Sequence, residues 1–212
     1  MPGLLAARTT TPKCFGHAAT IVGNSANNHL RGTPGRDVIV GLGGNDGILG
    51  RQGNDFVCGG PGDDVLHAAE GVNHISGGPG DDWLDGRRGK GNIANGGDGK
   101  DLIQAEGTID GGRGPDTIYS FGYLSPSVSP FTDVTDGGAG RDKVYGGANR
   151  EILRGGGEND KIHAGSGNDR VEGNTGDDVL DGNNGNDTIY GGLGTDTCTQ
   201  GAGTGSLFGC EN

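Results

Sequence analysis

An all-β fold, a parallel β-solenoid of about ten 18-residue coils, is the architecture this sequence predicts. Three observations carry the prediction. A large aliphatic returns every nine residues along most of the chain. A glycine-rich turn precedes it, as in GGPGDDVLH at 59–67 and GGPGDDWLD at 77–85. No helical period of apolar residues is present anywhere.

The strands follow in order. Ile21, Leu30, Ile39, Ile48, Val57, Leu66, Ile75, Leu84 and Ile93 stand at steps of nine, and so do Val144, Leu153, Ile162, Val171, Leu180, Ile189, Cys198 and Leu207. Ile103, Ile109, Ile118 and Val134 continue the series between them with altered spacing. One apolar residue among polar neighbours makes a very short strand, bounded by turns that glycine closes because it alone takes positive φ without a Cβ penalty. Such a strand cannot bury its aliphatic unaided, so neighbours must stack into a continuous core. Two nonapeptides then make one coil, with strands parallel on two faces, and about ten coils at about 4.8 Å each give a rod of roughly 50 Å.

Composition narrows the class. Fifty glycines in 212 residues come without a Gly-X-Y period, which excludes collagen. A 30% hydrophobic content with a formal charge of −12 matches a disordered acidic chain, and only the repeat overrules that reading. The 16 basic residues form no long run, which argues against nucleic acid as a partner, and no apolar stretch reaches membrane-spanning length. MPGLLAAR is too short for a complete signal peptide. Residues 1–13 read as a tail and 14–212 as one elongated domain.

Sorting the turns by alternate nonapeptide separates two edges. A regular edge carries Asp46, Asp64, Asp82, Asp101, Asp116, Asp142, Asp160, Asp178 and Asp196, preceded by Asn28. The opposite, interrupted edge reads Asp37, Asp55, Asn73, Gly91, a shortened turn near 104–107, an insertion, then Glu151, Asp169 and Asp187. One such turn alone would be read as aspartate turn chemistry. A column of them is different, because stacked carboxylates repel unless a cation lies between them. Calcium suits the position, since it takes six to eight oxygens from carboxylates and carbonyls.

The arrangement GGxGxDxUx, with U a large aliphatic, resembles the calcium-binding nonapeptide of the RTX (repeats-in-toxin) family over about residues 23–196. The resemblance implies a parallel β-roll in which turn carbonyls and one aspartate hold an ion shared with the next coil. Gly59, Gly60, Gly62 and Asp64 would then help to bind an ion that Asp82 also touches. The same role falls to the carbonyls of Gly77, Gly78, Gly80, Gly96, Gly97, Gly99, Gly111, Gly112 and Gly114, and of Gly137, Gly138, Gly140, Gly191, Gly192 and Gly194. Adjacent aspartate pairs number eight on the regular edge and two on the other, Asp37 with Asp55 and Asp169 with Asp187, so up to about ten ions are expected. Without them the weak core and stacked charge leave the chain unfolded or loosely collapsed.

In the middle of the interrupted edge the metal logic fails: AAEGVN at 68–73 lacks paired glycines, and GRRGKG at 86–91 puts Gly91 where an aspartate would stand. Arg87, Arg88 and Lys90 are expected to supply positive charge in place of an ion. The insertion 120–136, SFGYLSPSVSPFTDVTD, gathers Phe121, Tyr123 and Phe131 after Tyr119 and is stiffened by Pro126 and Pro130. It reads either as a loop covering imperfect core or as a contact surface for a glycan or protein partner. Cys14 with Cys58 and Cys198 with Cys210 read as two terminal disulfides, the second closing a cap at 197–212; zinc is the competing reading, without CxxC spacing to support it. His67 and His74 flank Glu70 without a metal-binding spacing and read as solvated turn residues. No GxSxG, zincin or phosphate-loop motif is present, so no catalytic residue is assigned and no enzyme is expected. An ice-binding solenoid is disfavoured by the mixed residues Arg36, Asn45, Asn54, Asp63, Asp81 and Arg141 at the fifth turn position. The resulting expectation is a secreted, extracellular, monomeric protein whose folding calcium drives; the rival is an adhesin or binding module using 120–136.

Overall fold

The computed structural model describes residues 10–121 and 133–211. Two parallel sheets run the length of a solenoid of about ten turns, and the described residues contain no helix. The ten-stranded sheet runs from His29–Arg31 to Thr197–Thr199 and the eleven-stranded sheet from Ile21–Val22 to Ser206–Phe208; consecutive strands of the solenoid alternate between them. Registers repeat by coil: Leu66 faces Leu84 and Leu84 faces Ile103 in the first sheet, while Val57 faces Ile75 in the second. Strict register follows from the two-residue period, because a one-residue slip would turn every aliphatic outward.

The core is a double column between the sheets. Leu66, Leu84, Ile103, Ile118, Val144, Ile162 and Leu180 line one side, and Ile75, Ile109, Leu153, Val171 and Ile189 the other, all essentially inaccessible to solvent. Each such side chain contributes about 1.5–3 kcal/mol on burial. Two per 18-residue coil make a thin core, so the turns must supply much of the cohesion.

The solenoid is continuous through its irregular middle. Leu102–Ala105 pairs with Trp83–Gly86 and with Thr117–Ser120, which in turn pairs with Lys143–Tyr145. Opposite, Gly107–Arg113 pairs with Asn92–Asp98 and with Asp133–Ala139. The shortened turn is the single residue Glu106 between strands Leu102–Ala105 and Gly107–Arg113.

Three expectations are corrected here. The turn after Gly86 holds one residue more than its neighbours, so Asn92 rather than Gly91 takes the aspartate position and its Oδ1 accepts the Asn73 N–H at 2.9 Å. The same slip turns Ile93 outward, 41% exposed, and puts Ala94 in the core opposite Ile75. Likewise Val134 pairs with Thr108 on the outer side, and Thr135 points inward between Ile109 and Leu153.

Both ends are tied. A hairpin of Lys13–Cys14 and His17–Ala18 lies against the second sheet, joined to it by the Cys14–Cys58 disulfide and packed over Val38, Val40 and Phe56. Cys198 is bonded to Cys210, and Ser206–Phe208 continues the second sheet within that loop. Most of the tail 1–13 and the insertion residues Tyr123, Pro126, Pro130 and Phe131 lie outside the described residues.

Candidate metal-binding turns

The turn 59–64 shows how the motif builds its site. Gly62 sits at φ +136°, and a Cβ there would run into the Gly44 carbonyl of the previous coil. Gly59 is needed for a different reason. A Cβ there would collide with Asp64 Oδ2 and come within 2.9 Å of the carbonyl oxygen of Gly77 one coil on. The carboxylate thus curls over the first glycine of its own turn, on the side that a carbonyl of the next coil also approaches. Gly77 repeats the arrangement: a Cβ there would collide with Asp82 Oδ2 and come within 2.6 Å of the Gly96 carbonyl oxygen.

The other carboxylate oxygen makes a ladder. Asp46 N–H donates to Asp64 Oδ1 at 2.7 Å, Asp64 N–H to Asp82 Oδ1 at 2.8 Å, and Asp82 N–H to Asp101 Oδ1 at 2.9 Å. The series passes through Asp116, Asp142, Asp160 and Asp178 to Asp196 without a break. It starts at Asn28, whose N–H donates to Asp46, and ends at Glu211, whose Oε2 accepts the Asp196 N–H at 2.8 Å. Each rung is a charge-assisted bond that fixes the aspartate rotamer.

Oδ2 has no such partner. In Asp46, Asp64, Asp82, Asp101, Asp116, Asp142, Asp160, Asp178 and Asp196, and in Asp55 and Asp169 on the interrupted edge, it is buried without a hydrogen-bond donor among the described residues. A buried, unpaired carboxylate oxygen is costly. Desolvation, followed by repulsion from neighbouring aspartates, pushes the Asp82, Asp116 and Asp160 carboxyls up to about 8. Burial likewise lifts Asp64, Asp101 and Asp142 to about 6. A column of buried oxygens without donors, most of their carboxyls raised by the cost of holding charge there, fits a hard cation. Among the described residues no three His, Cys, Asp or Glu side chains converge, so a cation needing six to eight oxygens must draw most of them from turn carbonyls.

A family model for the RTX calcium-binding nonapeptide repeat matches residues 22–57, 59–93, 106–122, 129–162 and 163–198. The chain belongs to the RTX calcium-binding repeat family. No curated protein matches it. RTX repeats bind calcium, and this chain is a β-solenoid of them.

The interrupted edge of the RTX roll is not uniform. Asp37 Oδ2 accepts from Thr33, at 2.6 Å from the backbone N–H and 3.0 Å from Oγ1. Asn73 and Asn92 stand buried in the ladder, accepting through Oδ1 as the aspartates do. Glu151, buried in an aspartate position, has both oxygens taken, by Ser120 Oγ at 2.6 Å and Gly147 N–H at 2.5 Å. Burial raises it to about 7. Of the expected compensating cations, Arg87 instead grips Asp85 of the preceding strand Trp83–Gly86 with two bonds of 3.0 and 2.8 Å. Lys90 is the one whose charge opposes the burial-driven rise of Glu106.

The remaining candidates do not assemble into a site. His67 and His74 sit in strands of different sheets, not in turns; His67 lies 3.3 Å from Asp85, and His74 packs on Phe56 at 4.7 Å. Tyr119 stacks on Tyr145 at 4.9 Å, and Tyr145 on His163 at 5.5 Å, so the rings cover each other's faces. Phe121 is 40% exposed. Reading the sequence missed Glu211, the Ser120–Glu151 pair and the role of Asn92. A signal existed for Glu211, which stands fifteen residues beyond Asp196, the separation of Asp101 and Asp116.

Proposed function

We propose that this protein is a secreted RTX β-roll that stays largely unfolded at low calcium and folds when calcium enters its turns. The observation that carries the reading is the unbroken column of buried Asp Oδ2 atoms, none with a hydrogen-bond partner among the described residues and most beside a glycine that a carbonyl from the adjacent coil also approaches. Calcium would supply the positive charge that completes each turn; the chain supplies aspartates held in place by the N–H ladder and glycines that admit carboxylate and carbonyl to the same spot. The side-chain ligands are those of the regular edge, Asp46 to Asp196, with Asp37, Asp55, Asp169 and Asp187 opposite, and up to about ten ions fill them.

Binding free energy is then folding free energy, because the sites do not exist in the extended chain. The two disulfides accord with an oxidising, calcium-rich exterior. Ladder ends closed by Asn28 and Glu211 favour a monomer over end-to-end stacking. One roll from residue 14 to the C-terminus is the domain plan, with 197–212 as a cap and the insertion read at 120–136 confined between strands Thr117–Ser120 and Asp133–Ala139, and its role is structural, not catalytic.

Native mass spectrometry in calcium tests the assignment. Asp82→Ala should remove the two ions shared with its neighbours and raise the calcium midpoint of folding. An unchanged ion count would refute the ligand set.

A further inference from the structure

Asn73 and Asn92 occupy the aspartate ladder, yet their free side-chain atom differs from that of every aspartate in it. Where the neighbouring Asp55, like Asp169 and the aspartates of the regular edge, carries Oδ2, an acceptor with no donor among the described residues, these residues carry Nδ2, a donor. The structure aims that donor at the carbonyls of its own turn: Asn92 Nδ2 donates to Gly86 O at 2.7 Å, and Asn73 Nδ2 to Ala69 O at 3.3 Å and Gly71 O at 3.5 Å. The spot at the first position of the turn tells the same story. A Cβ on Gly77 would meet a carboxylate oxygen, whereas a Cβ on Gly86 would meet Asn92 Nδ2 at 3.0 Å. Both asparagines are buried, so neither amide is solvated instead.

We propose that Asn73 and Asn92 are built-in substitutes for calcium. Each amide gives its turn carbonyls the positive partner that an ion would otherwise give, and each Oδ1 keeps the N–H ladder intact. The turns at 68–73 and 86–92 therefore take no metal, and the interrupted edge is a metal-free centre flanked by calcium-binding turns at either end. The inference rests on the calcium reading above. Ala68 at the first turn position is no obstacle to a metal site, since Ala164 precedes the orphaned Asp169 in the same way.

The experiment is a calcium count by native mass spectrometry on the full, disulfide-bonded chain, alongside calcium-dependent circular dichroism. Asn73→Asp should add one ion, shared with Asp55, and Asn73→Asp with Asn92→Asp should add two. Asp55→Asn supplies the converse: it should lose the ion shared with Asp37 while the calcium-loaded protein keeps its β-structure, because the new amide caps the turn. A folded double variant with the wild-type ion count overturns the inference. If the double variant does not fold, Asp55→Asn decides, and an unchanged count or a collapse of the loaded fold overturns it. A wild type that binds no calcium would instead bring down the underlying reading.

Discussion

At Gly77 the sequence rule and the geometry meet in one atom. A methyl there would displace the Asp82 carboxylate and crowd the Gly96 carbonyl. Gly77→Ala is therefore expected to destabilise the calcium-loaded roll by about 2–3 kcal/mol and to weaken the adjacent site; a melting curve in saturating calcium reads the first, and a calcium titration the second. Leu42 is the opposite case. It holds φ +85° in a turn position that is usually glycine here, with its side chain 38% exposed. A left-handed backbone costs a side-chain-bearing residue about 1 kcal/mol or more, so Leu42→Gly should stabilise by about 1 kcal/mol in the same assay. The aspartates and glycines were legible because their spacing repeats. Asn92 was not, because a single extra residue in its turn moved the ladder position one step beyond the counted one, and Ile93 was turned outward by the same step. Thr135 was hidden for a related reason: spacing favoured its aliphatic neighbour Val134.

Strands and turns divide the work unevenly. Each strand donates one aliphatic to a thin core, and the turns carry the polar ladder, so local strand propensity explains little and stacking explains most. The alternation of sheets and the two edges were readable from period alone. The aromatic stack of Tyr119, Tyr145 and His163 was not, because register across an insertion brings those residues together over irregular spacing. Tyr145 has both ring faces covered and Tyr119 one, which weakens the case for Tyr119 as a sugar platform. The two disulfides act on different loop lengths, 44 and 12 residues in sequence separation. Chain-entropy arguments give about 4 and about 3 kcal/mol respectively. Replacing Cys14 and Cys58 by serine should raise the calcium midpoint of folding more than replacing Cys198 and Cys210, as titrations of the two paired variants would show; the reverse order would contradict the entropic account.

The whole molecule carries a formal charge of −12 and stacks its carboxylates in rows. Burial raises Asp64, Asp101, Asp142 and Asp178 in the folded, metal-free roll, and lifts Asp82, Asp116 and Asp160 up to about 8 against an ordinary 3.8. Groups shifted in that direction favour the folded state at pH values below the unfolded value and withdraw that support as pH rises through the folded value. Metal-stripped protein should thus gain β-structure near pH 4 and lose it progressively toward pH 8, by circular dichroism. In calcium the trend should reverse, because protons then compete with the ion for the same oxygens. A metal-free fold insensitive to pH over that range would mean that the carboxylates are not what opposes it.

The central claim, that calcium completes the turns and so folds the roll, meets its most direct test in a calcium titration followed by circular dichroism on chelator-treated protein with disulfides intact. The account predicts a cooperative passage from disorder to β-structure that magnesium does not reproduce, since magnesium demands a tighter octahedral shell than carbonyl-rich turns offer. A chain already folded in chelator and indifferent to added calcium would contradict it, and the aspartate columns would be turn chemistry alone.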